Sequence, residues 1–467
     1  MQGYTLAPHT FHNFKNNCVA LVSQENRGWA IVTEQEYKII KDYFSINRNS
    51  NQSKEVEITR ATLDKLYNLG LVQKNGYYPD HCYKKTTPYP ESLLIKMTGE
   101  CNFKCAYCYD FSPQREKNHI SAERIIATID QIISKTKKLN ITFHGGEPLL
   151  RFTVIKEVVN YCARKFTDKK TRYALQTNGS LFNKEIVEFL EMHNFSVGIS
   201  LDGIWSETDK LRTPKNVEFK SASQKFIYLL DKYNDFVRQH CGVLAVLCRS
   251  SIKRLPEYVL WLQEKGISGF STTVLDPTGR AADIKEEEIS AEDIIELYKT
   301  WIKLIKAGEI HSIKISNLLS YIDNLCSFDP PNFCQKGPCG ASGEFLVLDA
   351  DGSFRSCDCV IHDYFILGDA KTDLDEVIHS DRRKKIIKRY EQLSKYSECS
   401  KCAWMQLCGG TCVAKAIGHS SDINYIYPIE CELTKFLYPM LLNEYSENPD
   451  SILFRYHQKN SKIKKIA

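Results

Sequence analysis

Leu94 to Cys108, LIKMTGECNFKCAYC, is the stretch from which the rest of the chain is read. An apolar run with the character of a buried strand, Leu93 to Thr98, ends at Gly99 and Glu100, and Cys101, Cys105 and Cys108 follow in C-x3-C-x2-C spacing. Three thiolates so close together in a reducing compartment hold one metal centre. An iron–sulfur cube has four corners, so three ligands leave one iron open to chemistry. The competing readings are zinc, which in structural sites asks for four closed ligands, and buried apolar thiols.

Working outward, 467 residues are enough for two or three cores. A hydrophobic fraction of 43% and a charged fraction of 25% are those of a globular protein, and a net charge of +5 on this length does not call for a nucleic-acid partner. The opening MQGYTLAPHTFHNF lacks a basic start followed by an apolar core, and no run of about eighteen apolar residues occurs. A cytoplasmic protein without a membrane partner is expected. Eighteen cysteines with repeated C-x2-C spacing then point to metal or clusters rather than disulfides. Cys162 is different, because it falls in phase with Val154, Val158 and Val159 on one helical face and reads as a core thiol.

Residues 1–88 read as a winged-helix-like module. Cys18 to Ser23 and Trp29 to Thr33 form a hairpin around Asn26-Arg27-Gly28, and Thr33 caps a helix running through Phe44. After a polar linker, Asn47 to Lys54, Thr59 starts a second helix, and Asn75-Gly76 marks a second hairpin. Residues 89–315 alternate apolar runs with amphipathic helices. Strands are expected at 93–98, 140–144, 173–177, 197–201, 243–247 and 269–275, with helices behind Ser121 and Asn183. Six β/α units of this kind predict a partial, TIM-like (β/α)6 barrel with its site at the C-terminal strand ends.

The short motifs fall at those ends. His144-Gly145-Gly146-Glu147-Pro148 follows the second strand, Gln176-Thr177-Asn178-Gly179 the third, and Gly198-Ile199-Ser200-Leu201-Asp202-Gly203 the fourth. Each alone is ordinary turn chemistry. Together with the three cysteines they resemble the radical S-adenosylmethionine (radical SAM) family. The resemblance implies that the open iron chelates SAM and that one electron splits its sulfonium to a 5′-deoxyadenosyl radical. It assigns Gly145, Gly146, Glu147 and Pro148 to the SAM amino group, and Thr177, Asn178, Ser200 and Asp202 to the rest of the site. Tyr107 takes the position whose ring lies near adenine, and Arg212 that of an arginine common after the fourth strand.

From Cys334 the order is C-x4-C, Gly352-x4-Cys357, then Cys399-x2-Cys402-x5-Cys408-x3-Cys412, and Cys431. This resembles the SPASM extension, an iron–sulfur module placed here at 316–445, with a solvated basic tail at 446–467 that includes Lys459, Lys462, Lys464 and Lys465. The resemblance implies two auxiliary clusters, one on Cys334, Cys339, Cys357 and Cys412, the other on Cys399, Cys402, Cys408 and Cys431. The alternative is a pair of structural zinc sites. Cys359 and Cys326 depart from the pattern, and Asp358 takes the place where relatives carry a carboxylate proposed as a base.

The function expected is that of a radical SAM peptide maturase with SAM and three [4Fe–4S] clusters. Its partners would be a precursor peptide, whose leader adds a strand to residues 1–88, and a low-potential donor such as flavodoxin or ferredoxin. An intramolecular thioether or carbon–carbon cross-link is the expected product. Anaerobic sulfatase maturation to formylglycine is the alternative enzyme reading, peptide epimerisation another outcome, and a zinc or iron–sulfur scaffold with a DNA-reading winged helix the alternative of another class.

Overall fold

A computed structural model describes residues 3–46, 58–82, 89–167, 170–215, 219–332, 334 and 337–460. The linker Asn47 to Lys54 and three of the tail lysines, Lys462, Lys464 and Lys465, lie outside the described residues.

The N-terminal module contains β1 (Tyr4–Leu6), β2 (His9–Asn13), β3 (Cys18–Ser23), β4 (Trp29–Thr33), α1 (Glu34–Ile46), α2 (Arg60–Asn68) and β5 (Val72–Lys74). The β3–β4 hairpin forms as expected, with β2 on its other side. Thr33 starts α1 through a reciprocal cap: Glu36 N donates to Thr33 Oγ1 at 3.1 Å, and Thr33 N donates to Glu36 Oε2 at 2.7 Å. Thr59 caps α2 by accepting from Thr62 N at 3.2 Å. The second hairpin differs. Asn75 and Gly76 take the left-handed turn, but the returning arm contributes a single Lys74–Tyr77 bridge, and β5 pairs instead with β1. Tyr78 turns inward to donate to Glu25, and Pro79 has no N–H to extend a ladder. The expected wing hairpin is thus replaced by the antiparallel pairing of β5 with β1, a non-local pairing that no short-range pattern encodes.

All six expected barrel strands form: β6 (Ser92–Lys96), β8 (Lys138–His144), β9 (Lys170–Thr177), β10 (Ser196–Ser200), β12 (Cys241–Leu247) and β13 (Gly269–Val274). Two short strands, β7 (Phe103–Cys105) and β11 (Arg212–Pro214), lie above them. The intervening helices are α3 (Ala122–Lys135), α4 (Phe152–Lys165), α5 (Lys184–Met192), α6 (Ser206–Leu211), α7 (Ala222–Lys232), α8 (Asn234–His240), α9 (Leu255–Glu264), α10 (Ala291–Lys306) and α11 (Ser316–Cys326). Ser121 and Asn183 cap α3 and α5 through Arg124 N and Ile186 N. Ile125, Ile129, Ile132 and Ile133 of α3 are buried against the sheet, and Cys162 of α4 is a core thiol.

The sheet runs β14-β13-β12-β10-β9-β8-β6-β15-β16-β17, with β14 (Lys314–Ile315), β15 (Phe345–Leu348), β16 (Phe354–Arg355) and β17 (Ile366–Gly368) added at its edges. Every pair from β14 to β15 is parallel. The cysteine-rich region thus does not hang from the barrel. It supplies a strand, Phe345 to Leu348, that pairs with β6 directly below the first cysteine loop.

The remaining helices are α12 (Leu374–His379), α13 (Asp381–Tyr396), α14 (Met405–Cys408), α15 (Val413–Ser420), α16 (Pro428–Glu447) and α17 (Ile452–Asn460). The last corrects the expectation of a solvated tail. Leu453, Phe454 and Tyr456 are buried, Tyr456 Oη donates to Ile313 O at 2.7 Å, and His457 Nε2 lies 2.7 Å from Asp323 Oδ1. The apolar residues of ILFRYHQ close the barrel flank, and lysine count alone misjudged them. Among the described residues no helix is long and apolar enough to cross a membrane.

Candidate active site

The loop Cys101–Cys108 is gripped from several strand ends. A Cβ built on Gly146, whose φ is +49°, would lie 2.1 Å from Glu100 O, so only bare backbone allows the end of β8 to approach the loop. Pairing of β7 with β11 sets Arg212 opposite Cys105. Beyond β13, Gly279 makes a similar approach, its Cβ position 2.4 Å from Cys108 O, and Arg280 N donates to that carbonyl at 3.0 Å. The three thiols line one cavity of about 280 Å³, with Gly99, Gly146, Thr177, Asn178, Ser200, Tyr107 and Arg212 around them and Asp276, Asp358 and Cys359 on the facing wall.

Four residues assigned from sequence stand behind that lining: Gly145, Glu147, Pro148 and Asp202. Glu147 is fully buried. Its Oε1 accepts from Thr177 Oγ1 at 2.7 Å and Leu149 N at 3.1 Å, and its Oε2 from Asn178 N at 2.8 Å. It ties the second strand end to the third rather than projecting into the cavity. Asp202 accepts from Val246 N at 2.8 Å, from Tyr107 Oη and, at 3.4 Å, from Arg212 Nε. It fixes the two side chains that do reach the cavity, and Arg212, itself buried, lies over the Tyr107 ring at 5.4 Å.

Burial pushes the Glu147 carboxyl up to about 7, against the pull of its hydrogen bonds to Asn178 and Thr177. The unfolded chain gives up this proton at the ordinary carboxyl value, whereas the folded chain keeps it to about 7. Between those values the folded state binds more protons, so its stability falls as pH rises. Glu147→Gln should flatten that slope, read from the melting temperature of the metal-free protein against pH.

Two further cysteine clusters form. Cys334, Cys339, Cys357 and Cys412 line a second cavity of about 420 Å³ together with Cys359. Cys399, Cys402, Cys408 and Cys431 surround a third. These are the two groupings that the resemblance implies. Cys326 joins neither and is buried in the main core on α11. The ligand atoms of Cys357, Asp358 and Cys359 lie within 4.8 Å of one another, and the last two line both the first and the second cavity.

Sequence reading missed the buried charges joining these sites. Lys96 Nζ pairs with Asp110 at 2.6 Å and donates to Asp358 O at 3.1 Å. Arg115 makes two bonds of 2.7 Å to Asp349 and approaches Asp110 at 3.2 Å, while Arg355 Nε lies 2.7 Å from Asp349. On the opposite side Lys415 pairs with Asp276 and donates to Val274 O at 2.9 Å. A lysine inside the apolar LLIKM was the one available signal. The other partners are far apart in sequence.

The residues fit an iron–sulfur centre. Burial pushes the Cys101 thiol up to about 12 and the Cys108 thiol up to about 11, so both are neutral without metal and release protons to bind it. The Cys359 thiol lies within 4.8 Å of that of Cys357 in the second set, while the first loop brings its own three thiols together beside a glycine-walled space.

Comparison with known proteins agrees. Residues 95–262 match the radical SAM superfamily, and residues 339–403 match SPASM, an iron-sulfur cluster-binding domain. The chain is 27% identical over 342 residues to the cysteine-type anaerobic sulfatase-maturating enzyme of Clostridium novyi (strain NT), covering 69% of this chain and 87% of that one. It is 23% identical over 327 residues to mycofactocin maturase MftC of Mycolicibacterium smegmatis, covering 70% and 78%. Of solved structures, native anSMEcpe with bound AdoMet aligns with a TM-score of 0.63 at 22% identity, covering 76% of this chain and 100% of that one. Streptococcus suis SuiB bound to precursor peptide SuiA aligns at 0.58 and 17% identity, covering 91% and 99%. With three thiols on a glycine-walled cavity at the C-terminal strand ends and two cysteine sets beyond it, the chain is an enzyme that carries a radical SAM domain and a SPASM domain, with SAM and iron–sulfur clusters as its cofactors.

Proposed function

We propose that the chain is a peptide maturase that takes hydrogen from an unactivated carbon of a ribosomally made precursor and closes a thioether or carbon–carbon cross-link within it. The observation that carries this reading is the shared wall: Asp358 and Cys359 face the first cavity on one side and the second cysteine set on the other. A substrate carbon held beside the first site lies next to a second centre able to take up the electron released as the new bond forms.

In this reading Cys101, Cys105 and Cys108 hold the SAM-binding cluster, and the other two sets hold auxiliary [4Fe–4S] clusters. When bound, the first cluster and SAM supply one-electron chemistry that removes a hydrogen atom. Gly146, Thr177, Asn178, Ser200, Tyr107 and Arg212 line the space for SAM, and Glu147 and Asp202 hold that lining in place. In this reading Asp358, whose Oδ2 accepts from Tyr109 Oη at 3.5 Å, takes the proton from the substrate. Residues 1–88 receive the leader as an added strand. The alignment with SuiB, a protein solved with its precursor peptide, covers 91% of this chain and so leaves fewer residues unmatched than this module contains. A flavodoxin or ferredoxin of the cytoplasm supplies the electrons.

Asp358 also supports a second reading, formylglycine formation on a sulfatase, since the Clostridium relative carries that activity in its name. The test is to reconstitute the full chain anaerobically and offer it short precursor peptides encoded beside it and a sulfatase-derived peptide. A precursor that loses two hydrogens and gains a cross-link by tandem mass spectrometry, with turnover lowered by excess free leader, supports the proposal. Conversion of the sulfatase peptide alone overturns it in favour of the second reading.

A further inference from the structure

Arg389 of α13 is a large cation in the interior, 2% exposed, that the radical chemistry does not use. Its guanidinium donates to four backbone carbonyls: Gly410 at 2.6 Å, Tyr425 at 3.2 Å, Thr411 at 3.4 Å, and Ile423. Among the described residues it has no carboxylate partner at ion-pair distance. A buried charge without a counter-charge at ion-pair distance is costly.

The turn it holds joins the two sets. Between Cys408 and Cys412, Gly409, Gly410 and Thr411 have φ of +73°, +84° and +63°. Three consecutive left-handed residues, one of them β-branched, persist only where surroundings hold them. Arg389 holds their carbonyls, and Thr411 Oγ1 accepts from Tyr427 N at 3.0 Å. The two carbonyls it holds lie between Cys408 of one set and Cys412 of the other, so the guanidinium sits against the turn that carries one member of each. A cation beside a cluster favours the cluster's more negative state.

We propose that Arg389 is a positioning residue that serves both auxiliary clusters: it sets the Cys408–Cys412 turn and raises the reduction potentials of the two centres so that they accept the electron released by the substrate. The inference rests on the cluster assignment above. Its test uses full-length protein with Cys101, Cys105 and Cys108 replaced by alanine, so that only auxiliary clusters are seen, carrying Arg389, Arg389→Gln or Arg389→Lys. Iron and sulfide are measured first, then reduction is followed by electron paramagnetic resonance at controlled potential.

Arg389→Gln should retain its iron and show an at least ten-fold lower ratio of reduced to oxidised cluster at a fixed potential, a shift of about 59 mV for one electron. Arg389→Lys should restore most of that loss. A scaffold role alone predicts the opposite sign, since a loosened, wetter cluster is easier to reduce. Unchanged or raised potentials in Arg389→Gln overturn the inference. If Arg389→Gln fails to load, the lysine variant decides: potentials near those of Arg389 support the inference, and lowered potentials or failure to load overturn it. Absence of iron and sulfide from the parent protein is a different failure, one of the cluster assignment itself.

Discussion

Replacing Cys101, Cys105 and Cys108 together by alanine will abolish production of 5′-deoxyadenosine from SAM while leaving about eight of an expected twelve irons in place. The two numbers separate because the three cysteine groups lie in distinct cavities and share no ligand. The loop itself should survive. It is held by β7–β11 pairing, by Glu147 N donating to Glu100 O at 2.9 Å, and by Arg280 N on Cys108 O, none of which involves a thiol. Iron and sulfide analysis beside chromatography of the nucleoside products checks both. Undiminished SAM cleavage would remove the assignment of the first site, and loss of all iron would show that the sites fold as one.

Asp349→Ala will produce the largest loss of stability, about 3–5 kcal/mol, because it strips the counter-charge from a buried network. Asp349 is wholly buried on the segment after β15 and receives both Arg115 bonds and the Arg355 approach. With Asp110 and Lys96 the network has three cations and two carboxylates, so the variant leaves three cations facing one acid. An exposed pair such as Lys165 with Asp130 is screened by solvent and contributes far less, and Lys165→Ala is the matched control. Urea unfolding midpoints make the comparison.

The same network sets an acid limit. Burial opposes the charge of Asp349, yet the Arg115 hydrogen bonds, with Lys96 and Arg355, hold its carboxyl below the ordinary value. A depressed acid contributes stability that is present above the unfolded value and is lost as pH falls through the folded one. Joining of the cysteine-rich region to the barrel should therefore weaken only at pH below the ordinary aspartate range.

Local signals carried much of the architecture. Each of the six strands has a period or an apolar run of its own, and Thr33, Thr59, Ser121 and Asn183 cap helices where a side-chain oxygen meets the first free N–H groups. The grouping of the later cysteines came from the resemblance of their order to a known pattern, and the structure brings those same residues around two cavities. The finer roles were not. Glu147 and Asp202 have the residue types of ligand contacts, but buried N–H groups and hydroxyls claim their oxygens, and they act through Thr177, Asn178, Tyr107 and Arg212 instead.

By itself the sequence determined the parallel strands and their helices, the three-cysteine loop and the existence of a second cysteine-rich region, since periodicity, capping and cysteine spacing are properties of neighbouring residues. Only the tertiary structure decided that β1 rather than a wing strand completes the N-terminal ribbon, that β15 joins the barrel beside β6, that α17 is packed, and that Asp358 and Cys359 stand between two cavities. The physical reason is the same in each case. Pairings such as Arg115 with Asp349 or Tyr456 with Ile313 link residues more than a hundred positions apart, and their energy depends on burial that exists only once the whole chain has closed around them.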